Sequence, residues 1–144
     1  MQRSFHHKLM KTYFVMHRCV MSAAKKYGLT SGQPKILEYL LEQEGSEQKT
    51  IAGHCEIESA TVGSILDRME KNGLIERRRR EGNRRSIYIY LTPTGRAAAE
   101  EIQKIFTAAE KIAFSGMNEQ EIALLSEGIE KVYKNLTEQG GSII

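Results

Sequence analysis

The sequence predicts a mainly α-helical fold with a small β-hairpin, a winged helix-turn-helix flanked by terminal dimerisation helices. Three observations lead there. Apolar residues recur at three- and four-residue spacing through most of the chain, which is helix period. One stretch, Ile87-Tyr88-Ile89-Tyr90-Leu91, alternates instead, and it follows a Gly82-Asn83 turn that supplies the positive φ of a tight hairpin. Just before the hairpin, two helical patterns meet at a short break over Glu56 to Glu58, the second amphipathic with small polar residues at its start.

The first helix is expected from about Ser4 to Tyr27. Leu9, Tyr13, Met16, Val20 and Ala24 form one stripe, and Phe5, Met10, Phe14 and Met21 a second. A helix apolar on more than one side needs more than one partner surface. Gly28 is the expected stop. Thr30-Ser31-Gly32-Gln33 fits a capping box, with Thr30 as N-cap and Gln33 reaching back. Pro34 then falls in the first turn, where its missing N–H costs nothing. Ile36, Leu37, Leu40 and Leu41 define a short buried helix ending near Gly45, and Gln43 to Gln48 reads as a linker. A third helix spans roughly Gln48 to Cys55, with Ile51 and Ala52 inward. A fourth begins at Ser59, carries Val62, Ile65, Leu66 and Met69 at core spacing, and stops at Asn72-Gly73. After the hairpin, Thr92-Pro93 reads as N-cap and N1 of a long helix to about Phe114, through Ala97, Ala98, Ile102, Ile105, Phe106, Ala109 and Ile112. Asn118 to Glu121 opens a last helix in capping-box style, with an apolar face of Ile122, Leu124, Leu125, Ile129, Val132, Tyr133 and Leu136.

The chain has 144 residues, of which 40% are hydrophobic and 27% charged, enough apolar matter for a real core. No apolar run approaches the roughly 20 residues of a membrane span, and the N-terminal region has no apolar segment of the secretory kind. Cys19 and Cys55 lie far apart without a CxxC, as in a cytoplasmic protein with reduced, structurally buried thiols. His6, His7, His17 and His54 give no metal-ligand spacing. There is no phosphate-cradling Gly loop, nucleophile elbow or zinc-hydrolase motif, so neither an enzyme nor a cofactor is expected.

Charge is the strongest functional signal. From Leu74 to Leu91 six arginines stand against two glutamates, a net +4, while the whole chain is only +3. A hairpin that concentrates positive charge suits a polyanion. Along a strand at most half of Arg77 to Arg80 can face DNA. Arg78 and Arg80 are the candidates, and the others are left to pair with Glu76, Glu81 or the acidic long helix. Arg84 and Arg85, beside the turn, would enter or flank the minor groove. Ser59, Ala60, Thr61 and Ser64 are short enough to let the fourth helix sink into the major groove, where Ser and Thr can bond base edges or phosphates. Ser59 also suits a helix cap. Arg68, farther along, would reach phosphate, and Lys35 and Lys49 are either phosphate ligands or simply solvated. The wide apolar faces of the first and last two helices are most simply buried against each other and a second copy of the chain. A homodimer also suits two recognition helices on two half-sites of a pseudo-palindromic duplex.

In Thr50-Ile51-Ala52 through Ser59-Ala60-Thr61-Val62, Leu66-Asp67-Arg68-Met69-Glu70-Lys71-Asn72-Gly73-Leu74-Ile75-Glu76-Arg77, and Arg84-Arg85 through Leu91-Thr92-Pro93-Thr94-Gly95, the chain resembles the MarR family of bacterial transcriptional regulators over nearly its whole length. The family's wing usually carries Asp-X-Arg. The matching positions here are Asn83, Arg84 and Arg85, so the acid that braces the wing arginine is replaced by its amide. The resemblance implies one MarR-like domain over residues 1–144, with a DNA-binding lobe at 30–92 and dimerisation helices at 1–28 and 93–144. It implies a homodimeric repressor released by a small, often aromatic, effector, for which Tyr13, Met16, His17, Met21 and Tyr39 are the candidate liners, though Met and Tyr at helical spacing also suit plain core. A cysteine-based redox switch and a protein-binding winged helix that has lost DNA contact are the alternatives.

Overall fold

The computed structural model describes residues 3–143, the side chains of Arg84 and Ser142 excepted. The order is α1 (Phe5–Ala24), α2 (Gln33–Glu42), β1 (Ser46–Glu47), α3 (Gln48–Cys55), α4 (Ser59–Lys71), β2 (Ile75–Arg80), β3 (Asn83–Leu91), α5 (Pro93–Ala113) and α6 (Glu119–Gln139). All six expected helices and both hairpin strands form. The chain divides into two compact units, Met1–Ala109 and Glu110–Ile144.

In the first unit, α1 tightens into a 3-10 turn at Lys25–Tyr27, and Gly28 closes it at φ 74°. The capping box of α2 is half made. Gln33 Oε1 accepts from the Thr30 N–H at 3.2 Å, but the Thr30 side chain makes no cap bond. Gly32, at φ 86°, takes the N-cap place instead. A Cβ there would stand 2.6 Å from Ile65 Cδ1, so glycine lets the turn pack directly on α4.

Helix α2 stops at Glu42, short of Gly45, and the expected linker contains a strand. Gly45 N–H donates to Ile89 O at 2.8 Å, and Ser46 and Glu47 pair with Ile89 and Tyr88. The sheet is antiparallel in the order β1-β3-β2. A two-residue strand has no period to read, so only the pairing partner reveals it. In the hairpin, Ile75 faces Leu91, Glu76 Tyr90, Arg77 Ile89 and Arg78 Tyr88, with a register shift between Arg78 and Arg80. The positive φ at the tip belongs to Gly82 alone, at 81°.

The core joins Ala24 of α1, Ile36, Leu37 and Leu40 of α2, Ile51 of α3, Val62, Leu66 and Met69 of α4, Ile75 and Ile89 of the sheet, and Ala99 and Ile102 of α5. Emptying one such site, as in Met69→Ala, typically costs about 2–5 kcal/mol. Helix α5 is rooted under the end of α4. Thr92 Oγ1 accepts from the Gly95 N–H at 3.0 Å, donates to Gly73 O at 2.6 Å, and the Thr92 N–H reaches Leu74 O at 3.1 Å. The inward stripe of α5 is Gly95, Ala99 and Ile102, with Ala98, Ile105 and Phe106 beside it, so Ala97 and Ile112, expected inward, are exposed.

The two cysteines differ. Cys55 is buried, but Cys19 is exposed, against the expectation for both. It neighbours Val20, and adjacent helical residues point about 100° apart, so burying Val20 turns Cys19 outward.

In the second unit, Gly116 turns the chain at φ 81° and α6 begins with a complete capping box. Asn118 Oδ1 accepts from the Glu121 N–H at 2.8 Å, and Glu121 Oε1 accepts from the Asn118 N–H at 3.2 Å. Leu124, Leu125, Ile129, Tyr133 and Leu136 of α6 are all exposed.

Candidate nucleic-acid interface

Val62, Leu66 and Met69 are fully buried, and this fixes the rotation of α4 about its axis. Ser59, Ala60, Thr61, Ser64 and Arg68 are left exposed. Ser59 is the first helical residue rather than a cap, and the N-cap is Glu58, which makes no side-chain cap bond. Instead the Ser59 carbonyl accepts from Gln48 Nε2 at 3.0 Å, which ties the start of α3 to the start of α4. Ser64 Oγ donates back to Ala60 O at 3.4 Å. Thr61, Ser64 and Arg68 share a cleft of about 200 Å³ with Thr30, Ser31 and Gln33 at the start of α2.

The wing is braced from inside. Arg77 forms ion pairs with Asp67 at 2.8 Å and Glu70 at 3.1 Å, both on α4, not with Glu76, Glu81 or the long helix. Its place opposite Ile89 puts it on the core side of the hairpin. Arg78 pairs with Glu76 and lies 4.4 Å from the Tyr90 ring centroid. Arg80 lies 3.9 Å from the Tyr88 ring centroid and donates to Gly45 O at 3.1 Å and to the Tyr90 hydroxyl at 3.3 Å. The two arginines and two tyrosines thus interleave on the outer face, and a guanidinium with five N–H donors keeps some to offer outward.

Asn83 shows how the amide replaces the acid. Its Oδ1 accepts from the Arg85 and Ser86 N–H groups, each at 3.2 Å, and its Nδ2 donates to the Tyr88 hydroxyl at 3.1 Å. A carboxylate could accept the first two bonds but could not donate the third. Arg85 is exposed just past the tip. The side chain of Arg84 lies outside the described residues.

Four of the five candidate effector liners meet around one cavity. Tyr13, Met16, His17 and Met21 of α1 line a space of about 130 Å³ with Pro34, Lys35 and Phe106. Tyr39 does not. It stacks on His54 at 4.4 Å between ring centroids, and its hydroxyl accepts from Ser46 Oγ at 3.3 Å. Ser46 on β1 and His54 on α3 thus hold the Tyr39 side chain on the side of the sheet and α3. Phe106 and Lys35 were not legible as liners, since α5 and α2 bring them there only through the tertiary fold. Lys49 is exposed on α3.

Burial pushes the Cys55 thiol up, with Lys35 pulling the other way and Glu38 adding to the rise. Among the described residues no three His, Cys, Asp or Glu side chains converge as a metal would need, and no helix is long and apolar enough to cross a membrane.

A helix-turn-helix anchored in the core with one face exposed, an arginine-bearing hairpin and long flanking helices define a winged-helix protein of the nucleic-acid-binding type. The MarR family profile matches residues 29–87, from the loop before α2 into β3. The regulator MgrA of Staphylococcus aureus, described as an HTH-type transcriptional regulator, is 30% identical over 109 residues, covering 75% of this chain and 72% of MgrA. The chain belongs to the MarR family of transcriptional regulators. Solved structures share the fold. A MarR-family regulator from Listeria monocytogenes crystallised with a 26mer DNA superposes with a TM-score of 0.90 at 21% identity, covering 96% of this chain and 92% of that one. The S. aureus MepR–DNA complex gives 0.86 at 23% identity, over 94% and 99%.

Proposed function

We propose that this chain is a cytoplasmic, homodimeric transcriptional repressor that binds a pseudo-palindromic DNA site and is released by a small aromatic effector. The observation that carries the reading is the exposed row of Ala60, Thr61, Ser64 and Arg68 on α4, with the +4 hairpin directly after it. Ser59 stands at the start of that row. In this reading α4 enters the major groove, while Arg85, with Arg84 beside it in sequence, reaches the minor groove. Arg78 and Arg80 face phosphates from the outer side of the wing. The Listeria regulator and MepR, each crystallised with DNA, support it.

The apolar faces support a dimer. Phe5, Met10 and Phe14 of α1 and Leu124, Leu125 and Leu136 of α6 are exposed in the single chain. A second copy would cover them, and half-sites about one helical turn apart would then meet two recognition helices. The apolar cavity bounded by Tyr13, Met16, His17 and Met21 supports the effector, with Lys35 as a cation for an acidic group on it. The protein is accordingly a binding protein and not an enzyme, as its regulator relatives are.

The test is selection of bound fragments from the parent genome, followed by binding of the selected duplex at several salt concentrations. A two-fold symmetric site is expected, with log K falling by about 0.9 per neutralised phosphate for each unit of log salt. Binding that barely responds to salt would instead favour a protein-interaction module.

A further inference from the structure

We propose that the cleft between the start of α2 and the recognition helix α4 is a built site for one phosphate of the DNA backbone. It rests on the DNA reading above and adds residues that reading does not use. Every polar side chain that lines the cleft can donate: the hydroxyls of Thr30, Ser31, Thr61 and Ser64, the guanidinium of Arg68 and the amide of Gln33. No carboxylate lines it. The space, about 200 Å³, is several times the share of one liquid water, roughly 30 Å³, so a tetrahedral oxyanion has room. The site also lies at the positive end of the α2 dipole.

Gln33 is the independent sign that a ligand belongs there. It is 1% exposed, the one buried polar or charged residue among those described. Its Oε1 is held by the Thr30 N–H, which fixes which way the amide points. Its Nε2 has no hydrogen-bond partner among the described residues. Buried donors are rarely left unpaired, and this one belongs to a residue that lines the cleft. With a slight opening of the cleft wall a phosphate oxygen would satisfy it while Arg68 neutralised the charge. Thr61 then serves the backbone and fixes the register of α4, and does not read a base edge.

The experiment is a neutralisation scan on the full-length protein. Duplexes carrying a single methylphosphonate at successive positions are compared for wild type, Gln33→Glu and Arg68→Gln. Glutamate at position 33 keeps the capping acceptor for Thr30 but turns the donor into an acceptor. The expected result is one position per half-site where neutralisation weakens wild-type binding roughly ten- to a hundredfold. Both variants bind the parent duplex more weakly and lose sensitivity at that position alone. Arg68→Gln, at an exposed position, keeps the test decisive should Gln33→Glu melt early. A wild type that binds DNA with the same neutralisation profile as both variants overturns the proposal and leaves the DNA reading standing. A wild type that binds no duplex removes both. Protection of wild type, but not the variants, by millimolar inorganic phosphate with unaltered scan profiles identifies a free-anion site and overturns the assignment to DNA.

Discussion

Arg77, in the first strand of the wing, holds Asp67 of the recognition helix at 2.8 Å, and its second contact, Glu70, lies one turn on. The wing and α4 are thereby one charged assembly. Removing Arg77 should loosen the hairpin more than it lowers stability. Asp67 is well exposed, so a double-mutant cycle with Arg77→Ala and Asp67→Ala should give a coupling under about 1 kcal/mol. Hydrogen exchange of the β2 and β3 amides should rise in Arg77→Ala. Unchanged exchange would mean that the sheet alone holds the wing.

Gly95 should be irreplaceable. A Cβ there would fall on the Leu74 carbonyl oxygen and stand 2.8 Å from its carbon, and neither is a flexible side-chain end. Gly95→Ala should cost at least the upper part of the about 1–3 kcal/mol typical of overpacking. Urea denaturation measures it, and a midpoint equal to wild type would contradict the close approach of α5 to Leu74.

The wing's aromatic brace can be dissected in two steps. Tyr88→Phe removes the hydroxyl that receives Asn83 Nδ2 but keeps the ring under Arg80, and Tyr88→Leu removes both. Each step should cost on the order of 0.5–1 kcal/mol, the second through the exposed cation–π contact. DNA affinity should fall in the same order, while melting temperature falls by only about a few degrees per step. Equal affinity in all three proteins would show that the brace does not prepare the wing.

Leu125→Glu should convert dimers into monomers. The side chain is exposed on α6 beside Leu124 and Ile129, and a charge placed in a buried copy-to-copy interface would be left unpaired. Light scattering at micromolar concentration decides it, and a wild-type monomer would remove the dimer from the reading.

The cysteines should react at different rates. Burial raises the Cys55 pKa, so at neutral pH it stays protonated, and its thiolate fraction grows only as pH climbs toward that raised value. Cys19 is exposed. Iodoacetamide at pH 7 should label Cys19 first in the isolated chain, with Cys55 following as pH rises. Loss of a peroxide response on changing Cys19 to Ser would establish the redox-switched alternative. Equal labelling of both sites would show that Cys55 is not buried in solution.

Helix positions were legible because burial on one face leaves a period, as Val62, Leu66 and Met69 do on α4. The α6 cap was legible because Asn118 and Glu121 satisfy each other within four residues. What stayed hidden depends on distant partners. Nothing near Ser46 announces that it will pair with Ile89, and nothing near Tyr39 says that it will stack on His54 instead of facing α1. The same holds for the site. The exposure of Thr61, Ser64 and Arg68 follows from the helix pattern, but their meeting with Gln33 needs the packing of Gly32 on Ile65. Strand alternation set Arg77 apart from Arg78 and Arg80, but its partners Asp67 and Glu70 lie across the α4–β2 corner, where no local pattern points to them.

The first turn of α2 is a partition. Gly32, Pro34 and Lys35 border the apolar cavity on the α1 side, while Gln33, between them in sequence, borders the polar cleft on the α4 side. A party wall cannot be pushed from one room without intruding on the other. If the proposed effector wedges this turn away from α1 it should carry the Gln33 amide with it, and if DNA grips that amide as proposed it should reshape the space behind it. Thermodynamic reciprocity then makes the traffic two-way: whatever factor such a molecule takes from the affinity for DNA, DNA takes from the affinity for the molecule.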